Sequence, residues 1–264
     1  MSSPEQSELD AEAEELIDAL TIPKRRVRPR LAEPLRAASE HDVDTPSGPV
    51  RAWRLGKGPA VLLIHGWDDD NCLWGPLIDK FGEVGRPVVA LDLPGHGFSR
   101  AEDPSAGSAV AGVRAVAAAL GPIDAVVGHS FGCAVAMQAM AGGLDIRRAA
   151  FIASPVPKPG NRWNRARRAG VPEEVIARAA ELYAQRPDAA APPFDLQAAA
   201  AKMTAAALFL HAVDDEQCPV EDAEALRGLW PGAKLALADG LGHRLIAQDV
   251  AMLDRVVGFI EAGR

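Results

Sequence analysis

The stretch Ala125-Val126-Val127-Gly128-His129-Ser130-Phe131-Gly132-Cys133-Ala134-Val135-Ala136 limits most tightly what this chain can become. An apolar run of buried-strand type stops at Gly128 and resumes after Gly132 as an alanine-rich helical pattern. Ser130 sits at the break, with glycines two residues before and two after it. G-x-S-x-G at such a junction is a tight strand-to-helix turn that lifts a serine hydroxyl above the end of a sheet. The spacing has a steric cause. The serine backbone is strained in that turn, and a side chain at 128 or 132 would crowd it.

The pattern on both sides extends this into a fold. His41–Thr45 and Val50–Leu55, joined by the turn Pro46–Pro49, read as a hairpin. Ala60–Ile64 is continuously apolar, as expected of a parallel strand covered on both faces. Leu73–Phe81 is helical, Pro87–Leu91 a strand, Ser108–Leu120 a helix and Ala149–Ala153 a strand. After Ser154 the alternation lapses until Ala205–His211, so much of 155–204 is an insert. Within it, Pro172-Glu173-Glu174 opens a helix with Val175, Ala179 and Leu182 on its apolar face. Pro192-Pro193 breaks the chain, and Asp195 can cap a second helix through Met203. Val220–Trp230 is then a helix, Ala233–Ala238 a strand, and Arg244–Ile260 a closing helix with Leu245, Met252, Leu253, Val256 and Ile260 inward. Strands alternating with helices imply an α/β fold, a doubly wound and mostly parallel sheet that binds at the carboxyl ends of its strands. The expected organisation is an N-terminal extension over 1–40, a core over 41–154 and 205–264, and a small helical cap over 155–204.

Composition excludes several classes. With 28 basic and 36 acidic residues the 264-residue chain carries a net charge of −8, which does not suit a nucleic-acid partner. Cys72, Cys133 and Cys218 are widely spaced and suggest neither a disulfide framework nor a metal cluster. No apolar run approaches the ~18 residues of a membrane span, and the acidic start lacks the layout of a signal peptide. A soluble, cytoplasmic protein is expected. Residues 1–23 hold acids from Glu5 to Asp18 and no base, with Leu9, Leu16, Ile17 and Leu20 on one helical face. The basic run Lys24, Arg25, Arg26, Arg28 and Arg30 follows and is expected to be a solvated arm. The extension is a candidate for a homo-oligomer contact.

A serine hydroxyl needs a base, and the base an orienting acceptor. Downstream of Ser130, two loops at strand ends offer an acid first and then a histidine. His211-Ala212-Val213-Asp214-Asp215 follows one buried strand, and Asp239-Gly240-Leu241-Gly242-His243 follows the last. The first oxyanion donor falls to the N–H of Phe131, at the positive end of the helix after the turn.

Together with His65-Gly66-Trp67 and Asp92–Ser99, these marks resemble the α/β-hydrolase superfamily of bacterial serine hydrolases, over roughly residues 45–264. In that family the acid usually lies four residues after the histidine of an H-G-x-x-D loop. Counted from His211, the resemblance implies Asp215, with Asp214 as runner-up and Ala212 standing where glycine is common. It also implies His243 as base, between last strand and last helix, and the N–H of Trp67 as second oxyanion donor. His41, His65, His96, His129 and His211 are expected to be structural, as is Asp92. Asp68-Asp69-Asp70 reads as a solvated turn, and Arg162, Arg165, Arg167 and Arg168 as a solvated basic face.

The expected function is hydrolysis of a small or medium carboxylic ester through an acyl-enzyme on Ser130, without cofactor or metal. The same residues serve thioesterases, lactonases, C–C bond hydrolases and cofactor-free haloperoxidases. A hydrolase fold kept as a non-catalytic binding module is the rival from another class.

Overall fold

A computed structural model describes residues 4–24, 29–156, 160–186 and 194–262. Arg25, Arg26 and Arg28 of the basic run, and the Pro192-Pro193 break, lie outside the described residues. In chain order the elements are α1 (Pro4–Thr21), β1 (Ser39–Val43), β2 (Val50–Leu55), β3 (Ala60–Ile64), α2 (Gly75–Glu83), β4 (Val88–Leu91), α3 (Ala106–Leu120), β5 (Ile123–His129), α4 (Phe131–Ala141), β6 (Arg148–Ile152), α5 (Asn161–Arg168), α6 (Glu173–Ala184), α7 (Leu196–Ala200), β7 (Ala206–Ala212), α8 (Val220–Leu229), β8 (Lys234–Ala238), α9 (Gly242–Leu245) and α10 (Val250–Glu261). They form two compact units, Met1–Pro23 with Pro157–Phe194, and Lys24–Val156 with Asp195–Arg264.

The larger unit is built on an eight-stranded sheet of order β1-β2-β4-β3-β5-β6-β7-β8. The expected hairpin is its antiparallel edge, with Val43 opposite Val50, and β2 runs antiparallel to β4. From β4 to β8 every pairing is parallel. Both faces are covered, which is why the central strands are apolar throughout. Val61 and Leu63 of β3 join a core with Trp74, Leu77 and Phe81 and with Leu253, Val256 and Ile260 of α10. Elsewhere in the core Phe151, Phe209 and Trp230 stack with centroids 5.3–6.1 Å apart, and the Trp230 indole donates to the Ala205 carbonyl.

The strand order reverses between β3 and β5: the chain leaves β3 toward β4 on one side and returns to β5 on the other. A doubly wound sheet opens its binding crevice at such a point. Ile64 pairs with Gly128, so the segments leaving β3 and β5 emerge side by side. Their closeness explains Gly132, and the fold of α4 back onto β5 explains Gly128. A Cβ on Gly132 would lie 2.2 Å from the Ile64 carbonyl oxygen and 2.5 Å from that of His65. One on Gly128 would lie 2.9 Å from the Cys133 nitrogen.

One element differs from its expected form. The periodicity from Arg244 to Ile260 suggests a single helix, but α9 ends at Leu245 and α10 begins at Val250. Asp249 causes the restart, since its carboxylate caps α10 by accepting from the Met252 N–H at 3.0 Å. Restarting resets the helical phase. Met252, Leu253, Val256 and Ile260 are buried as expected, whereas Leu245 is 59% exposed instead of inward. The Asp195 cap forms, accepting from the Ala198 N–H at 2.8 Å, but its helix ends at Ala200 instead of Met203.

In the smaller unit, Ala13 and Ile17 of α1 pack on Ala179 of α6, bordered by Leu16, Trp163, Leu182 and Tyr183. Acids of α1 meet bases of α6 and its C-terminal end: Asp10 pairs with Arg178 at 2.6 Å, and Glu14 and Asp18 with Arg186. Such exposed pairs stabilise weakly, so the apolar seam dominates. On the basic helix α5, Arg162 lies over the Tyr183 ring and Arg167 pairs with Glu173.

The tight passage at residue 132 leads to a prediction. Gly132→Ala forces backbone apart from backbone, and is expected to lower unfolding free energy by about 3 kcal/mol, the upper end for overpacking. A urea denaturation midpoint reads this directly.

Candidate active site

Ser130 links β5 to α4 with φ 50° and ψ −120°, a conformation that costs a non-glycine residue about 1–3 kcal/mol. It holds because the flanks are anchored. The Ser130 N–H donates to the Ile152 carbonyl at the end of β6, and the Ser130 carbonyl accepts from Cys133 in the first turn of α4.

The loops after β7 and β8 bring the expected partners to it. His243 Nε2 lies 2.9 Å from Ser130 Oγ, and His243 Nδ1 lies 2.8 Å from Asp215 Oδ2. A carboxylate can only accept, so Nδ1 carries the hydrogen and Nε2 is left to accept from the serine hydroxyl. Asp215 is held in turn by its other oxygen, Oδ1, which accepts from the N–H groups of Gln217 and Cys218 at 2.8 and 2.9 Å. Asp214, the runner-up, turns elsewhere: its Oδ2 accepts from the Gly242 N–H at 3.1 Å, tying the acid loop to the histidine loop.

Burial raises the Asp215 carboxyl, but the hydrogen bonds from His243 and the Cys218 and Gln217 N–H groups outweigh it and keep it below the ordinary range. Burial also lowers the His243 imidazole. The hydrogen bond to Asp215 works against this, the charges of His129 and His211 work with it, and the net position is below the ordinary 6.5. The ring is therefore neutral and able to accept a proton near pH 7.

The segment His65-Gly66-Trp67 runs directly past the serine. A Cβ on Gly66 would stand 3.1 Å from Ser130 Cβ and 2.9 Å from His129 Nδ1. Phe131 opens α4, so its N–H has no carbonyl one turn back to bond to. The rings of Trp67 and Phe131 meet edge to face, with centroids 5.5 Å apart.

The remaining histidines of the loops are engaged. His65 accepts from the Leu93 N–H at Nε2, 2.9 Å, and donates from Nδ1 to the Gly66 carbonyl. His96 accepts from the Asp68 N–H and donates to the Pro94 carbonyl. Burial pushes the first below its ordinary value and the second to about 4. His211 donates to the Cys218 carbonyl. His41 lies on the edge strand β1. Asp92 is buried, accepts from the N–H groups of Asn71 and Phe98 at 2.7 Å, and is raised to about 6 by its burial.

Asp68-Asp69-Asp70 is not the solvated turn that three consecutive acids suggest. Asp69 and Asp70 are buried; Asp69 pairs with Arg244, and Asp70 accepts from the Cys72 N–H. Sequence pattern could not reveal this, because Arg244 joins from the far end of the chain. Among the described residues, Asp215, Cys218 and His243 are grouped closely enough to hold a metal, with ligand atoms within 4.8 Å. Both Asp215 oxygens, however, already face N–H donors. No described helix is long and apolar enough to cross a membrane.

Comparison with known proteins agrees with this fold. The model of the alpha/beta hydrolase family matches residues 61–259. Over 110 residues the chain is 36% identical to a pimeloyl-[acyl-carrier protein] methyl ester esterase of Xanthomonas campestris, a match that covers 41% of this chain and 42% of that enzyme. The chain thus spans under half the length of the curated relatives it matches. A Pyrococcus furiosus esterase superposes with a TM-score of 0.72 at 17% identity, covering 91% of this chain and 97% of that one. A Bacillus subtilis carboxylesterase superposes at 0.64 and 16%, covering 97% and 100%. At such identities these structures speak for the fold.

The hydrogen-bond order predicts a titration. The His243 ring is expected to titrate below 6.5, and lower still in Asp215→Asn, which loses the anion favouring the imidazolium. The pH dependence of its ring proton shifts measures both. A midpoint unmoved or raised by the substitution would contradict the coupling.

Proposed function

The chain belongs to the alpha/beta hydrolase family, and on that premise we propose that it is a serine hydrolase cleaving a small or medium carboxylic ester through an acyl-enzyme on Ser130. The observation that carries this reading is the continuous relay from Ser130 Oγ to His243 Nε2 at 2.9 Å and from His243 Nδ1 to Asp215 at 2.8 Å.

His243 takes the hydroxyl proton as Ser130 Oγ attacks the ester carbonyl. Asp215 keeps the imidazole in the tautomer that can accept that proton, then stabilises the imidazolium. The tetrahedral oxyanion is bound by the N–H groups of Phe131 and Trp67, each donor worth about 3 kcal/mol of transition-state stabilisation. His243 returns its proton to the leaving alcohol. It next draws a proton from water as the water oxygen attacks the acyl carbonyl, and the acid departs as Ser130 recovers its hydrogen. The chemistry needs side chains and backbone of this chain alone. An ester in preference to other acyl compounds is supported by the partial match to a methyl ester esterase.

Ser130→Ala is expected to lose at least about 10³-fold in kcat on a p-nitrophenyl ester while unfolding at the wild-type temperature. Undiminished turnover would refute the assignment. In the wild-type enzyme kcat/KM should fall as pH drops through the His243 pKa, below 6.5, because the imidazolium cannot act as base.

A further inference from the structure

A second carboxylate touches the residues on either side of the reacting pair. Asp69 is 6% exposed and forms an ion pair with Arg244, the residue after His243. Its Oδ2 also lies 3.6 Å from Nδ1 of His129, the residue before Ser130. His129 is 1% exposed, and its Nε2 is 2.9 Å from the His243 carbonyl oxygen. A carbonyl only accepts, so Nε2 carries the hydrogen and His129 donates to the His243 backbone.

We propose that Asp69 is a positioning residue, which acts through Arg244 to fix the backbone carrying His243 beside Ser130. This rests on the reading of Ser130, His243 and Asp215 as the reacting set. The need for such a residue follows from the local fold. His243 lies on α9, a helix of four residues that begins after Gly240 and ends where the chain breaks before Asp249. Gly240 and Gly242 both have positive φ and Leu245 is exposed; the apolar anchors of this segment, Leu241, Ile246 and Ala247, flank residues 242–245 and do not lie among them. Asp215 orients the imidazole ring but does not hold its backbone. Polar contacts from other parts of the fold bear on it: Asp214 on the Gly242 N–H, His129 on the His243 carbonyl, and Asp69 on the Arg244 side chain. Asp69 supplies the last of these and lies beside the second.

The energetics agree. A carboxylate this deeply buried is costly unless it is paired. Burial raises the Asp69 carboxyl, yet its contacts with His129 and Arg244 bring it below its ordinary value. Arg244 is 51% exposed, and a pair with such a partner contributes little to global stability. The contact is thus suited to alignment more than to holding the fold, and misalignment by about 1 Å can cost up to ~10²-fold in rate.

The test compares wild type, Asp69→Asn, Arg244→Gln, the double variant and Ser130→Ala on p-nitrophenyl acetate, with kcat and KM separated. Asp69→Asn and Arg244→Gln are each expected to lower kcat about tenfold with KM within about twofold. The double variant is expected to be no slower than Asp69→Asn alone, since both remove one linkage. Unchanged kcat in both single variants, losses that multiply in the double, or an effect confined to KM would overturn the proposal. If Asp69→Asn does not fold, Arg244→Gln decides alone: a tenfold loss of kcat supports the proposal and wild-type kcat refutes it. Full activity in Ser130→Ala would instead refute the underlying triad, a result separable from failure of Asp69.

Discussion

The site depends on one close approach, the start of α4 pressed against the end of β3. At residue 132 the passage leaves no room for a Cβ between the helix and the carbonyls of Ile64 and His65. Parallel pairing of β3 with β5 sets this distance, and helix and strand can meet there only if the chain turns within a single residue. Ser130 is that residue, and its φ of 50° is the local cost of the turn. Strands buried on both faces hold the strain, because relaxing it would shift a packed core. The same approach brings the segment after β3 beside the serine. The strain at Ser130 and the closeness of Gly66 to it share one origin.

Around that turn the electrostatics favour neutral imidazoles. His65 and His96 are buried and use one ring nitrogen as acceptor and the other as donor, so protonating either would break a bond to a backbone N–H. His243 differs in having a carboxylate on one side and a hydroxyl on the other. Its burial and its histidine neighbours hold the proton off, while Asp215 favours the protonated ring. A base that is neutral at rest and stabilised once charged is what acyl transfer requires.

Much of this was legible in the sequence, for local reasons. Gly128, Ser130 and Gly132 announce a turn whose sterics act within five residues, and the apolar runs of β3 to β7 declare strands with two buried faces. That the loops ending in Asp215 and His243 come near Ser130 followed from loop order along a parallel sheet, while the choice of Asp215 over Asp214 came from the resemblance to the alpha/beta hydrolases. What escaped is long-range or a matter of phase. Asp69 looked solvated because its partner Arg244 is remote in sequence. The closing helix looked continuous because an aspartate that could sit mid-helix caps a new one instead. The acids of α1 gave no sign of their partners, Arg178 and Arg186, which lie on α6 and just beyond it, remote in sequence.

The central claim is that Ser130 carries the acyl group during turnover. Mixing the enzyme with excess p-nitrophenyl ester, quenching within the first turnover and mapping the adduct by peptide mass tests it most directly. The account predicts a burst of one p-nitrophenol per chain and one acyl group on the peptide containing Ser130. Steady turnover with the acyl group on another residue, or a full burst that survives in Ser130→Ala, would contradict it.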